Sequence, residues 1–143
     1  MTVRYAGISV ATGQAPDEED RVRQHIALRR AAGIAAVLWM AVIFALSSLP
    51  GSAVPGKFGN FGHFVLYFVL GGLYFLALPK SSRPWLAFGL AIALASVYGV
   101  TDEFHQSFVP GRVPDVRDWV VDTLGALTAV SSIALARRRA SRA

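Results

Sequence analysis

The stretch TDEFHQSFVPGRVPDVRD, residues 101–118, decides how the rest of the chain is read. It gathers Asp102, Glu103, His105, Gln106, Arg112, Asp115, Arg117 and Asp118, with Pro110, Gly111 and Pro114 to turn the backbone. Before it lie sixteen uncharged residues, Trp85 to Val100; after it, Trp119 to Ala136 carries one charge, Asp122. About 20 mostly apolar residues in a helix cross a bilayer. A dense polar run between two such segments therefore reads as a turn at a membrane surface.

Two further windows fit the same description. Ala31 to Leu49 has no charge, and Phe58 to Leu78 is interrupted only by Asn60 and His63. The whole chain of 143 residues is 54% apolar and 16% charged, whereas soluble domains average about 45–50% and about 25%. The windows lack strict apolar–polar alternation, so helices are expected and not barrel strands. The predicted fold is all-α, a polytopic four-helix membrane bundle. Its parts are an N-terminal tail (1–30), a membrane domain (31–136) and a basic C-terminal tail (137–143). The first apolar run is longer than a leader's apolar region and follows a thirty-residue tail, so it is read as an anchor that is not cleaved.

Arginine and lysine give the direction. The N-terminal tail, the turn with Lys80 and Arg83, and the C-terminus share eleven of the fourteen basic residues; the opposite side has Lys57, Arg112 and Arg117. Both termini are expected in the cytoplasm, with the 101–118 loop on the outer side of the plasma membrane. The net charge of +5 follows this topology and does not form one solvated face, so no nucleic-acid partner is expected. The absence of cysteine excludes thiolate metal sites and a cysteine nucleophile.

Helical spacing puts His63, Tyr67, Leu70 and Tyr74 on one face of the second span, and Asp118, Asp122, Gly125 and Ala129 on one face of the fourth. Ala87, Ala91, Ala95 and Gly99 form a small-residue row on the third, the kind that lets membrane helices approach closely. Glu103 is the next step of that row. His63, Glu103, Asp118 and Asp122 thus converge at one depth, and Arg112 is expected to return over the acids. Ionisable groups within spans are costly and mark function by default. The plainer readings are that Asp102, Asp115 and Arg117 are solvated, that Asp118 caps the fourth helix, that His105 is an interfacial bystander, and that the ion network only clamps helices. Ser47 and Ser48 end the first span with no base beside them in sequence.

Three blocks, SSLPGSAVPGKFGNFGHFVLYFVLGGL (47–73), VYGVTDEFHQSFVPGR (97–112) and DWVVDTLGAL (118–127), resemble the VanZ-like family of small bacterial membrane proteins over roughly residues 35–135. The resemblance places the family's pattern on His63, Tyr67, Asp102, Glu103, Gln106, Arg112, Asp118 and Gly125. Gly59 and Asn60 stand where relatives often carry Asp-Lys, and Asp122 where they commonly carry Asn. The family's founding member is associated with teicoplanin resistance. The resemblance therefore implies a cell-envelope protein and, more weakly, a link to antibiotic resistance; it supplies no reaction.

Three functional classes follow. In the first, the outward site binds a lipid headgroup, sugar or glycopeptide-related ligand through His63, Tyr67, Asp102, Glu103, Gln106, Arg112, Asp118 and Asp122, with Arg112 as the anion contact. In the second, a membrane enzyme uses His63 or Glu103 as acid or base on a lipid-linked substrate. No cofactor is expected beyond an optional divalent cation such as magnesium, for which Asp102, Glu103, Asp118 and Asp122 offer oxygens; zinc is less expected, since His63 is the one well-placed nitrogen. The third class is a purely structural subunit. Four acids against Arg112 and His63 leave surplus negative charge, which favours a site for a cation or cationic group.

Overall fold

The computed structural model describes residues 17–53, 59–79 and 83–142. Among them the chain is all-α: α1 (Glu18–Ser47), α2 (Gly59–Ala77), α3 (Pro84–Gln106) and α4 (Val116–Ala140), with one 3-10 turn at Gly51–Ala53. All four helices are long and apolar enough to cross a membrane. Lys57, Lys80 and residues 1–16 lie outside the described residues.

Local sequence sets each boundary. Asp17 caps α1, its Oδ1 accepting from the Asp20 N–H at 2.7 Å, and Glu18, Glu19 and Asp20 meet the positive end of the helix dipole. The 30-residue helix therefore begins well before the apolar window at Ala31. Pro84 opens α3 from its first turn, where a missing N–H costs nothing. That helix continues past Val100 to Gln106, so Asp102 and Glu103 sit on its last turns. Asp115, exposed as expected, also caps α4 by accepting from the Arg117 N–H at 2.8 Å. Asp118 lies in the first turn and is not the cap.

The packing is small inside and large outside. On α3, Ala91, Ala95 and Gly99 are buried, while Leu90, Leu94 and Val97 are exposed. Such a helix offers close backbone contact to its neighbours and bulky apolar groups to lipid. The α2–α4 contact is the closest. A Cβ on Gly71 would lie 2.6 Å from the Ala126 Cα, and one on Gly125 would collide with the Phe64 carbonyl. Tyr67, Leu70, Ala95, Ala126 and Ile43 complete the central core. Cross-helix hydrogen bonds fix register: Trp39 Nε1–H donates to the Leu66 carbonyl at 2.9 Å, Tyr98 OH to the Met40 carbonyl at 2.7 Å, and Trp119 Nε1–H to Ser96 Oγ at 3.0 Å.

Two connecting segments meet at the acid-rich end. Gly111 has φ +74°, in the region that favours glycine, and Gly51 N–H donates to the Pro110 carbonyl at 3.1 Å. A side chain on Gly51 would strike the Gly111 carbonyl. The α3–α4 turn is thereby held against the end of α1.

Candidate functional site

Every helix brings polar side chains to this end: Ser47 from the last turn of α1, His63 from the second turn of α2, Asp102, Glu103 and Gln106 from the end of α3, and Asp118 and Asp122 from the start of α4. Successive helical residues point about 100° apart, so neighbouring residues on α3 face different helices. The result is two clusters, one on each side of α3.

The first cluster joins α1 to α3. Ser47 Oγ–H donates to Asp102 Oδ1 at 2.5 Å, with the Ile43 carbonyl as alternative acceptor at 2.9 Å, and Gln106 Nε2 donates to Asp102 Oδ2 at 3.0 Å. Ser47, Asp102 and Gln106 are all buried. The expectation that Asp102 is solvated is therefore corrected: a neighbouring hydroxyl and amide replace its water. Asp102 also lies outside the close group of His63, Glu103 and Asp122, its two oxygens being engaged by Ser47 of α1 and Gln106 of α3. Nearby, Ser48 Oγ lies 3.0 Å from His105 Nε2, and the His105 ring stacks on Phe44 at 4.3 Å. His105 is thus no bystander, and Ser48 does have a base beside it. Ser48 Oγ–H also reaches the Phe44 carbonyl at 2.7 Å, an acceptor that competes with the imidazole for the single Ser48 proton.

The second cluster joins α2, α3 and α4. His63 Nδ1 lies 2.9 Å from Asp122 Oδ1, and His63 Nε2 lies 3.9 Å from Asp118 Oδ2. Glu103 Oε2 accepts the Asp115 N–H at 2.8 Å, fastening the first turn of α4. Asp122 is fully buried and Glu103 is 8% exposed. Three buried polar atoms here have no hydrogen-bonding partner among the described residues: Glu103 Oε1, Asp122 Oδ2 and the Tyr67 hydroxyl. Tyr67 sits within electrostatic reach of Asp102, Asp122 and Glu103, between the clusters. An apolar cleft of about 190 Å³, lined by Val100, Glu103, Pro114, Asp115, Val116 and Trp119, leads to Glu103 but not to His63 or Asp122.

Arg112 is elsewhere. Its Nε–H donates to the Leu49 carbonyl at 3.2 Å, and Nη2 approaches the Leu46 carbonyl at 3.5 Å. These carbonyls belong to the end of α1, whose last turn holds no basic residue of its own. Arg112 supplies the positive charge that a helix C-terminus favours. It therefore pairs with no described carboxylate, contrary to the expected position over the acids. Among the described residues, the only basic side chain within 4 Å of Glu103, Asp118 or Asp122 is His63.

Of the residues expected at the site, the structure brings together His63, Tyr67, Glu103, Asp118 and Asp122, engages Asp102 with Ser47 of α1 and with Gln106, and assigns Arg112 to a helix end. Gly125 contributes by having no side chain. Ser47 is the polar partner that sequence reasoning misses. Its position at the end of an apolar span, level with Asp102, is the available signal.

A family model described as VanZ/LLP1 matches residues 13–137, further toward the N-terminus than the three resembling blocks reach. No curated protein and no solved structure matches the chain.

Proposed function

Since the chain belongs to the VanZ/LLP1 family, we propose that this multi-span membrane protein holds, at the outward-facing acid-rich end of its bundle, a ligand that presents positive charge or hydrogen-bond donors. Amine- or sugar-bearing lipid headgroups and glycopeptide-related molecules belong to that class. The observation that carries the reading is the set of buried, unpartnered atoms Glu103 Oε1, Asp122 Oδ2 and Tyr67 OH. A buried polar group left without a partner costs about 1–3 kcal/mol, and a structural clamp has no reason to keep three. An anionic group is disfavoured because the guanidinium of Arg112 is turned toward α1.

The ligand class is tested by native mass spectrometry of the detergent-purified protein. The parent is expected to retain amine- or sugar-bearing lipids, and Asp122→Asn to release them. Equal retention of phosphatidylglycerol, or unchanged retention in Asp122→Asn, overturns the reading. Orientation is tested separately with a reporter that is active only outside the membrane: it is expected to work when inserted near Pro114 and to be silent when fused after Ala143. The reverse pattern puts the site on the cytoplasmic side.

One feature favours a chemical role for the same residues. With Nδ1–H donated to Asp122 Oδ1, His63 Nε2 is left as a basic nitrogen on a fixed ring, the arrangement of a general base. Turnover of a lipid-linked substrate that His63→Gln abolishes while lipid retention survives would identify an enzyme.

A further inference from the structure

The acceptors of the second cluster are spaced for something smaller than a headgroup. One ring nitrogen of His63, one oxygen of Glu103 and one oxygen of Asp122 all lie within 4.8 Å of one another. Two ligands of a single ion are separated by at most twice the bond length, about 4.2 Å for bonds of about 2.1 Å. Three ligands of one ion lie about 3.0–3.6 Å apart at such bond lengths, so side-chain movements of up to about an ångström bring all three onto one centre. Each comes from a different helix, and two of them keep an oxygen with no partner among the described residues.

An ion pair alone does not complete the cluster. A protonated His63 satisfies Asp122 Oδ1 and leaves Asp122 Oδ2 and Glu103 Oε1 bare. Three carboxylates, Glu103, Asp118 and Asp122, surround that one imidazole. A divalent cation offsets the remaining charge and supplies a partner for both oxygens at once.

We infer that His63, Glu103 and Asp122 form a binding site for one divalent transition-metal ion of the manganese-to-zinc series. The imidazole selects that series over magnesium and calcium, which favour all-oxygen shells. Asp118, 3.9 Å from His63 Nε2 and only partly buried, stands at the mouth as an outer partner. The inference deepens the proposed binding role and rests on it: the innermost part of the site takes the ion, and donors of a larger ligand meet Asp118 and the metal's open positions.

The full chain, purified in detergent and stripped with EDTA, is titrated with manganese, zinc and magnesium chlorides. Elemental analysis is expected to give about one manganese or zinc per chain. The melting temperature should rise with the logarithm of metal concentration, and less for magnesium. Pulsed electron paramagnetic resonance of the manganese form should show coupling to a nitrogen nucleus that disappears in His63→Gln. Glu103→Gln should weaken binding by at least about tenfold, as loss of a metal-site partner does, while the exposed Glu19→Gln should not. The parent-protein spectrum needs no variant to fold. Absence of bound metal and of any melting shift, or unchanged affinity in Glu103→Gln, overturns the inference. If metal is absent while headgroup retention still depends on Asp122, the ion is wrong and the binding role stands. Metal binding without headgroup retention would instead keep the ion and remove the headgroup.

Discussion

Asp102 and Glu103 follow one another on α3 and serve two regions in different states of completion. Toward α1, both Asp102 oxygens are engaged, by Ser47 and by Gln106, and no side-chain atom of that trio is buried without a partner. Toward α2 and α4, Glu103 has one oxygen tied to the Asp115 N–H and one bare, Asp122 repeats the pattern, and Tyr67 adds a bare hydroxyl. Both regions are buried, and both draw on the same polar run of sequence. A completed network holds helices together; the incomplete one is where the proposed binding role places a ligand. The difference separates scaffold from site more sharply than burial or charge alone.

The largest effect is expected where the incomplete cluster depends on backbone contact. Gly125 lies three residues beyond Asp122 on α4, against the Phe64 carbonyl of α2. A valine there drives α4 from α2 and pulls Asp122 off His63. Overpacking typically costs about 1–3 kcal/mol and occasionally more; here a carbonyl must yield, so Gly125→Val should lose most folded protein in size-exclusion chromatography. A monodisperse, stable variant would mean that the α2–α4 interface is looser than these contacts imply.

Matched substitutions test the contrast between the two clusters. Asp102→Ala strands the buried Gln106 amide and leaves the Ser47 hydroxyl only the Ile43 carbonyl, and should cost about 2–3 kcal/mol. Asp122→Ala removes a carboxylate that is itself half unpartnered, and should cost about 1 kcal/mol or less, since functional sites often hold unfavourable charge. Denaturant or thermal melts of the two variants settle the order. Equal losses would make both clusters scaffold.

Much of this arrangement is legible in residue order. Four apolar windows give four helices, the His63–Tyr67 and Asp122–Gly125 spacings give inward faces, and the small-residue row on α3 gives its buried side. Pairing between segments distant in the chain is not legible. Arg112 is 66 residues from Leu46, and its attraction to nearby acids loses to the unsatisfied carbonyls of α1. Asp102 reads as solvated in sequence because its partner Ser47 is 55 residues away. The 100° step between neighbours on a helix sends Asp102 and Glu103 to different partners, whereas adjacency in sequence merges them.

A middle-sized effect probes the core that both clusters share. Ala95 has no exposed surface and packs with Tyr67, Ala126 and Ile43, so it touches the foundation of each side. Ala95→Leu should lower stability by about 1–3 kcal/mol and reduce folded yield in detergent. A variant as stable as the parent would place that face of α3 against lipid.

The smallest expected effect is a coupling energy near zero. Glu103 and Arg112 are nine residues apart, and opposite charges so close in sequence invite the assumption of a buried ion pair. Removing one partner of such a pair costs about 3–5 kcal/mol, much of it recovered when both are removed. The geometry gives another answer: Glu103 Oε2 is bound to the Asp115 N–H, and the Arg112 guanidinium is bound to carbonyls at the end of α1. Glu103→Gln retains an amide oxygen that accepts from Asp115 and should cost little. Arg112→Gln loses the charge at the α1 terminus, worth about 0.3–1 kcal/mol at an exposed helix end. Sites without a shared partner add to within about 0.5 kcal/mol, so the double variant should equal the sum of the singles by thermal melting. A coupling of about 2 kcal/mol or more, on the order expected for a broken buried pair, would move Arg112 back into the acidic cluster, neutralise part of its charge, and remove the main reason for reading that cluster as a cation site.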